Sequence, residues 1–106
     1  MAWVYLLLAG ICEIGWAFGL KYSEGFTKPL VSIVTVVVMI LSFVLLAQAM
    51  KQLPLGTAYA TWTGIGAAGT AILGMVFLNE PRDLLRILCL LLIIAGVLGL
   101  KFLSKA

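Results

Sequence analysis

The sequence predicts an all-α membrane protein with four transmembrane helices in each protomer. Of its 106 residues, 64% are hydrophobic and only 10% are charged, and a soluble domain of this size cannot bury so much apolar surface. The chain also divides into four apolar runs, each close to the about 20 residues that an α-helix needs to cross a bilayer. Because polar and apolar residues do not alternate within these runs, helices are favoured over a closed β-barrel.

The four predicted helices form one transmembrane domain, residues 1–106, and cover about residues 2–20, 30–50, 55–78 and 84–103. Each of the three connections contains a proline close to the start of the next helix, where its missing N–H is best tolerated. Connections this short force neighbouring helices to run antiparallel. We therefore expect a multi-pass protein of the inner (plasma) membrane, surrounded by membrane lipid.

The composition excludes several classes of function. Seven Lys and Arg residues against four Asp and Glu give a net charge of +3, and these cations are too few and too scattered to bind nucleic acid. The chain has no His and no acidic cluster, so neither a metal nor another cofactor is expected. The sequence has neither a nucleophile–base pair nor a phosphate-binding loop, so it gives no support to an enzymatic function. Cys12 and Cys89 lie in apolar runs and are interpreted as small buried hydrophobic residues.

The cationic residues are divided almost evenly between the two membrane faces. The face with the N-terminus, the second connection and the C-terminus has three and the other face has four: Lys51, Lys101 and Lys105 against Lys21, Lys28, Arg82 and Arg86. Orientation follows this distribution, and a difference of one gives almost no bias. Either both orientations coexist, which permits an antiparallel dimer, or helix hydrophobicity or assembly fixes one of them.

Glu13 is the ionisable residue nearest the centre of a predicted helix, two residues past the middle of the first. Insertion of a charge at that depth costs several kcal/mol, so it is a functional hypothesis by default. No Lys or Arg lies at comparable depth, which leaves a proton or an external cation as counter-ion, or a protonated carboxyl bonded within the bundle. On neighbouring turns, Gly10 permits close packing and Trp16 offers an N–H donor and a cation–π face. Ser42 adds a buried hydroxyl, which alone could bond to its own helix.

The third predicted helix carries a second group of candidate residues. Tyr59, Trp62 and Gly66 share one face at i, i+3 and i+7, and two aromatic rings with polar tips suit a small cation. Gly64, Gly66 and Gly69 permit close packing and a bend. The alternative interpretation is helix packing with aromatic residues at the membrane interface.

The sequence resembles the small multidrug resistance transporters over essentially its whole length. The resemblance lies in the motifs Ala9-Gly-Ile-Cys-Glu13, Lys21-Tyr-Ser-Glu-Gly-Phe-Thr27, Ser42-Phe43, Leu53-Pro-Leu-Gly-Thr-Ala-Tyr-Ala-Thr-Trp-Thr-Gly-Ile-Gly66 and Ala95-Gly-Val97. It implies an antiparallel, dual-topology homodimer that exchanges cations for protons through the first-helix glutamate. By position it also implies a substrate- and proton-binding site formed by Glu13, Trp16, Ser42, Tyr59 and Trp62, and helix packing at Gly96.

Within that family the sequence looks like the guanidinium-exporter branch, on the basis of Trp16, Met39 and Glu80-Pro81. This resemblance implies a proton-coupled antiporter that exports guanidinium and small substituted guanidinium ions. The chemistry is suitable, because planar guanidinium donates paired N–H groups to a carboxylate.

Two alternatives to guanidinium export stay open. The first is export of a broader range of quaternary ammonium and multidrug cations. The second is a non-transporting membrane subunit that assembles with a partner. For a guanidinium site, we further expect Trp16 and Ser42 to orient the Glu13 carboxylate by hydrogen bonds.

Overall fold

The computed structural model describes residues 1–103, which form four long α-helices. These are α1 (Ala2–Tyr22), α2 (Pro29–Ala49), α3 (Leu55–Phe77) and α4 (Leu84–Leu103). All four are long and apolar enough to cross a membrane, which confirms the predicted all-α class with four transmembrane helices. Lys105, one of the cations in the predicted orientation, lies outside the described residues.

The helix ends differ slightly from the predicted ones, for local reasons. Helix α1 continues two residues further, to Tyr22, where Ser23 ends it. The Ser23 hydroxyl donates to the carbonyl oxygen of Leu20 at 2.9 Å and accepts from the Phe26 N–H at 3.1 Å, so it serves groups that the ending helix leaves unpaired. Helix α2 begins one residue earlier, at Pro29, because proline is well suited to the first turn.

Helix α1 is the centre of the molecule and packs along both α2 and α3, whereas the backbone of α4 packs against α3. The arrangement is flat, with extents of 43 × 35 × 16 Å. The buried apolar residues form a cluster within the first three helices, and Leu6, Ala9, Leu46 and Trp62 belong to it. No residue of α4 is buried among those that the structure describes. We call α1, α2 and α3 the three-helix unit.

Close packing within the three-helix unit depends on small residues of α1 and α3. A Cβ atom built on Gly10 would lie 2.5 Å from Cγ2 of Ile65, and one on Gly69 would overlap the side chain of Ile14. Real Cβ atoms do not approach other atoms so closely, so a larger residue at either position would push the helices apart. Glycine therefore lets a side chain of one helix contact the backbone of the other, so that α1 and α3 pack closely. Both glycines lie at this contact, and their packing role stays a prediction.

The contact between α3 and α4 also has a glycine, but on one side only. A Cβ on Gly64 would lie 2.5 Å from Cγ2 of Val97, so α4 approaches α3 closely at that point. A Cβ on Gly96 would meet no atom within 4 Å. Gly96, which the resemblance assigned to helix packing, thus makes no such contact within the described chain. Helix α4 leaves one side uncovered there.

Candidate functional site

Glu13 lies one residue past the middle of α1, and its side chain fills the space in front of Gly66 on α3. A Cβ atom on Gly66 would overlap the Glu13 carboxylate and would lie 2.7 Å from its Cγ. The absence of a side chain at Gly66 is therefore what gives the carboxylate its place between the two helices. The structure brings these two sequence-predicted residues together.

The Glu13 carboxylate has no protein counter-ion in the part of the chain that the structure describes. Its Oε1 atom is buried and has no hydrogen-bond partner among residues 1–103. The ion pairs of those residues are Glu24–Lys28 and Asp83–Arg86, both on exposed side chains outside or at the ends of the helices. An unpaired buried acceptor is costly, so the site is suited to a proton or a cation that comes from elsewhere.

Four aromatic rings from three helices form a continuous row beside this region. The ring centroids are separated by 5.5 Å from Tyr59 to Trp62, by 5.8 Å from Trp62 to Phe43 and by 6.3 Å from Phe43 to Trp16. The Phe43 contacts are edge-to-face, the arrangement that ring quadrupoles favour. Trp62 is buried, whereas Tyr59 and Phe43 are about half exposed. Aromatic ring faces are groups that can bind a cation.

Ser42 links all three helices of the unit through two hydrogen bonds. Its hydroxyl is fully buried, donates to the carbonyl oxygen of Ala9 at 2.8 Å and accepts from Nε1 of Trp62 at 3.0 Å. A hydroxyl has one proton to donate, so Ser42 does not donate to Glu13 in this structure. The alternative of a bond to its own helix is also wrong, because Ala9 belongs to α1.

Trp16 likewise does not hold the carboxylate in this structure. Its Nε1 atom is buried and has no hydrogen-bond partner among residues 1–103, and its ring lies edge-to-face with Phe43. Spacing along α1 placed Trp16 one turn from Glu13 but could not fix the direction of the indole N–H. The expected hydrogen bonds from Trp16 and Ser42 to Glu13 are therefore absent from the described contacts, and Trp62 is the partner of Ser42.

Two groups that contact the candidate site residues were not predicted from the sequence. Phe43 joins the two tryptophans, but an apolar residue in an apolar helix has no signal of its own, apart from its place beside Ser42. The other is the backbone carbonyl of Ala9, which side-chain chemistry cannot reveal. Thr61 and Thr70 also have buried hydroxyl oxygens without a partner among the described residues.

Four membrane-spanning helices, with a carboxylate between two of them whose Oε1 is buried and has no partner among the described residues, define a small multi-pass membrane protein with the features of an ion transporter. The family model described as "Small Multidrug Resistance protein" matches residues 1–93. The chain belongs to the Small Multidrug Resistance family, which confirms the resemblance drawn from its motifs. Membership, together with the four helices, makes it a multi-pass transport protein of the bacterial plasma membrane.

Individual relatives cover nearly the whole chain. A protein of Yersinia pseudotuberculosis serotype I (strain IP32953) named "Guanidinium exporter" is 61% identical over 104 residues, which are 98% of this chain and 100% of the relative. Proteins of the same name from Escherichia coli (strain K12) and Citrobacter freundii are each 54% identical over 101 residues, 95% of this chain and 96% of theirs.

Proposed function

We propose that this protein is a proton-coupled antiporter that exports guanidinium and small substituted guanidinium ions across the plasma membrane. One observation carries the proposal: Glu13 Oε1 is buried between α1 and α3, opposite Gly66, with no partner among the described residues. The names of the relatives support guanidinium as the cargo.

In this proposal, the carboxylate couples the two fluxes by binding either cargo or a proton. Guanidinium donates two parallel N–H groups to the carboxylate of Glu13, a charge-assisted contact with planar specificity. Protonation of the same carboxylate removes the negative charge that holds the cation. Guanidinium and the proton therefore displace each other from the carboxylate, and the movement of one across the membrane is coupled to the opposite movement of the other.

The aromatic row supplies the second part of the proposed site. Trp62 and Tyr59 offer ring faces to the cation, while the bond from Trp62 to Ser42 fixes the indole. The indole N–H of Trp16 has no partner among the described residues and can donate a hydrogen bond to a second carboxylate or to a rearranged Glu13. We thus assign cargo and proton binding to Glu13, Trp16, Ser42, Tyr59 and Trp62.

The proposed working unit is an antiparallel homodimer of oppositely inserted chains. Four helices are few for the two inverted halves that alternating access uses, and two opposed copies would supply them. Helix α4 supports this, because it buries no residue within the described chain. The nearly even distribution of Lys and Arg permits both insertions.

The decisive experiment for coupling is a transport assay on the purified protein in liposomes. An imposed guanidinium gradient is expected to drive proton movement in the opposite direction. Glu13→Gln should abolish this movement, since Gln keeps the shape and loses the charge. The matched control is Glu24→Gln, which removes an exposed carboxylate paired with Lys28 at 3.6 Å and should leave transport unchanged. Wild-type proton movement in Glu13→Gln would refute the mechanism.

The same liposomes decide between the alternatives. If tetra-alkylammonium ions drive protons as well as guanidinium does, the protein is a broader cation exporter. If no cation drives protons, it is a non-transporting subunit.

The dimer is tested by the orientation of the chain. In a background of Cys12→Ala and Cys89→Ala, a cysteine added at the C-terminus should react with an impermeant thiol reagent from both sides of the membrane. Reaction from one side only, in protein that still transports, would exclude the antiparallel arrangement.

A further inference from the structure

A cleft of about 690 Å³ lies between α3 and α4, beside the connection that joins them. We call it the α3–α4 cleft. Met75 of α3, Glu80 of the connection, and Arg86 and Leu90 of α4 line it, and none of the residues assigned to the cation site does. A smaller apolar hollow of about 250 Å³ lies between the same helices, nearer the membrane centre, and includes Ile72 and Ile94. The cleft with polar groups and the apolar hollow thus lie along the same pair of helices.

The first charged group in the α3–α4 cleft is the Glu80 carboxylate, which lies over the last turn of α3. A Cβ atom built on Gly74 would overlap Oε1 of Glu80, so the carboxylate is close to the helix backbone there. The C-terminal end of a helix carries partial negative charge. Arg82 offsets part of it by donating to the carbonyl oxygen of Met75, but no ion pair of residues 1–103 includes Glu80. A cationic group is therefore favoured beside Glu80.

The second charged group is the Arg86 guanidinium, in the first turn of α4. Its Nε lies 3.0 Å from Oδ1 of Asp83, and both residues line the cleft. A guanidinium has five N–H donors in a fixed plane, so a contact through Nε leaves donors for another ligand. Phosphate is a partner that guanidinium binds well. The cleft therefore combines a position for a phosphate with a position for a cation.

We propose that the α3–α4 cleft binds one phospholipid with an ethanolamine headgroup. Its phosphate contacts Arg86, its primary ammonium contacts Glu80, and an acyl chain runs between the helices past Met75 and Leu90. The cleft lies at helix ends, the depth at which headgroups lie. The argument for this occupant is charge complementarity. An anionic lipid would face the carboxylates of Glu80 and Asp83 without a cation of its own, and a choline headgroup has no N–H to donate to Glu80.

The test uses the full-length protein in phosphatidylcholine vesicles that contain a small fraction of lipid with a photoreactive acyl chain. Three probes are compared: phosphatidylethanolamine, phosphatidylcholine and phosphatidylglycerol. Mass spectrometry then locates the adducts. The ethanolamine probe is expected to label the segment 71–90 about 1.5- to 5-fold more than either other probe, the range that an exposed charge pair provides.

Substitutions separate the two contacts. Glu80→Gln should lower labelling by the phosphatidylethanolamine probe to the level of the phosphatidylcholine probe. Arg86→Gln should lower labelling by both of these probes. The matched controls are Glu24→Gln and Lys28→Gln, which remove an exposed ion pair of the first connection, on the same side of the membrane, and should change nothing. If Glu80→Gln alters the helical circular dichroism, the ranking of the three probes on the unmodified protein decides alone.

Three outcomes would overturn the proposal. Equal labelling of segment 71–90 by the three probes would show a cleft with no headgroup preference. Preference for phosphatidylglycerol would show an anion site. Photoproducts that avoid the segment, with disulfide cross-links between Cys89 residues of two chains, would show that a second copy covers the cleft. The lipid proposal does not depend on the cargo, so failure of guanidinium transport leaves it standing.

Discussion

Helix α4 is more apolar than α1 and α3 of the three-helix unit, but it is less well packed. Leu6 of α1 is fully buried, whereas Leu92 of α4 is 67% exposed. Glycines of α1 and α3 face side chains of the neighbouring helix, while Gly96 of α4 faces none within the described chain. Lys101 of α4 reaches the ring of Trp3 at 5.4 Å, a side-chain contact between elements whose backbones do not pack together.

This difference shows that apolar character alone does not bury a helix in a membrane. Lipid tails are as apolar as leucine, so helix association depends on close van der Waals packing and on hydrogen bonds. The three-helix unit has both, in the glycine contacts of α1 and α3 and in the Ser42 bonds. Among the described residues, the close glycine contact of helix α4 is the one between Gly64 and Val97, and most of its surface is left for lipid or for a second chain.

The largest difference in transport and stability is expected between the variants Gly66→Ala and Gly96→Ala. Gly66→Ala places a Cβ on the Glu13 carboxylate, so we expect loss of proton-coupled transport and a loss of about 1–3 kcal/mol in the free energy of unfolding from overpacking. Gly96→Ala fills open space and should be neutral in a single chain. Unfolding in detergent and the liposome assay measure both. If Gly66→Ala transports normally, the carboxylate does not need the space that glycine leaves. A strongly destabilising Gly96→Ala would reveal a second chain on α4.

A smaller effect is expected from shortening a leucine in each region. Leu6→Ala leaves a cavity inside the three-helix unit and should reduce the free energy of unfolding by about 2 kcal/mol, chiefly through the cavity, because lipid removes most of the transfer contribution. Leu92→Ala should change it by less than about 0.5 kcal/mol. The two variants are compared by detergent unfolding at several protein concentrations. Equal losses would mean that α4 is as well packed as α1, and a concentration-dependent loss for Leu92→Ala would indicate an interface between chains.

The smallest expected effect concerns the hydroxyl of Ser42. Ser42→Ala removes the bond to Ala9 and leaves Nε1 of Trp62 unpaired, which should cost about 1–2 kcal/mol and loosen Trp62. The control is Ser32 of the same helix, whose hydroxyl donates to the carbonyl oxygen of Lys28, the residue just before α2, and Ser32→Ala should be nearly neutral. In a background of Trp3→Phe and Trp16→Phe, tryptophan fluorescence reports the change around Trp62, and unfolding in detergent reports stability. Unchanged emission in Ser42→Ala would show that the bond does not position the indole.

The residues of the site were predictable to different degrees. Glu13 could be found from the sequence, because a carboxylate within an apolar run is conspicuous and expensive. Gly66 could be found as a small residue on the aromatic face of its helix, but its contact with Glu13 depends on how α1 and α3 are aligned. Phe43 and the carbonyl of Ala9 could not be found, because their roles come from neighbours on other helices.

The sequence by itself determined the fold class, the number of helices and the depth of the buried charge. These follow from lengths of apolar sequence and the cost of a charge in lipid, both of which are local properties of the chain. Only the tertiary structure decided that Ser42 bonds with Ala9 and Trp62 rather than with Glu13, and that α4 lies largely uncovered. The physical reason is that hydrogen-bond direction and helix contact depend on the rotation and register of packed helices, and residue spacing within one helix does not contain them.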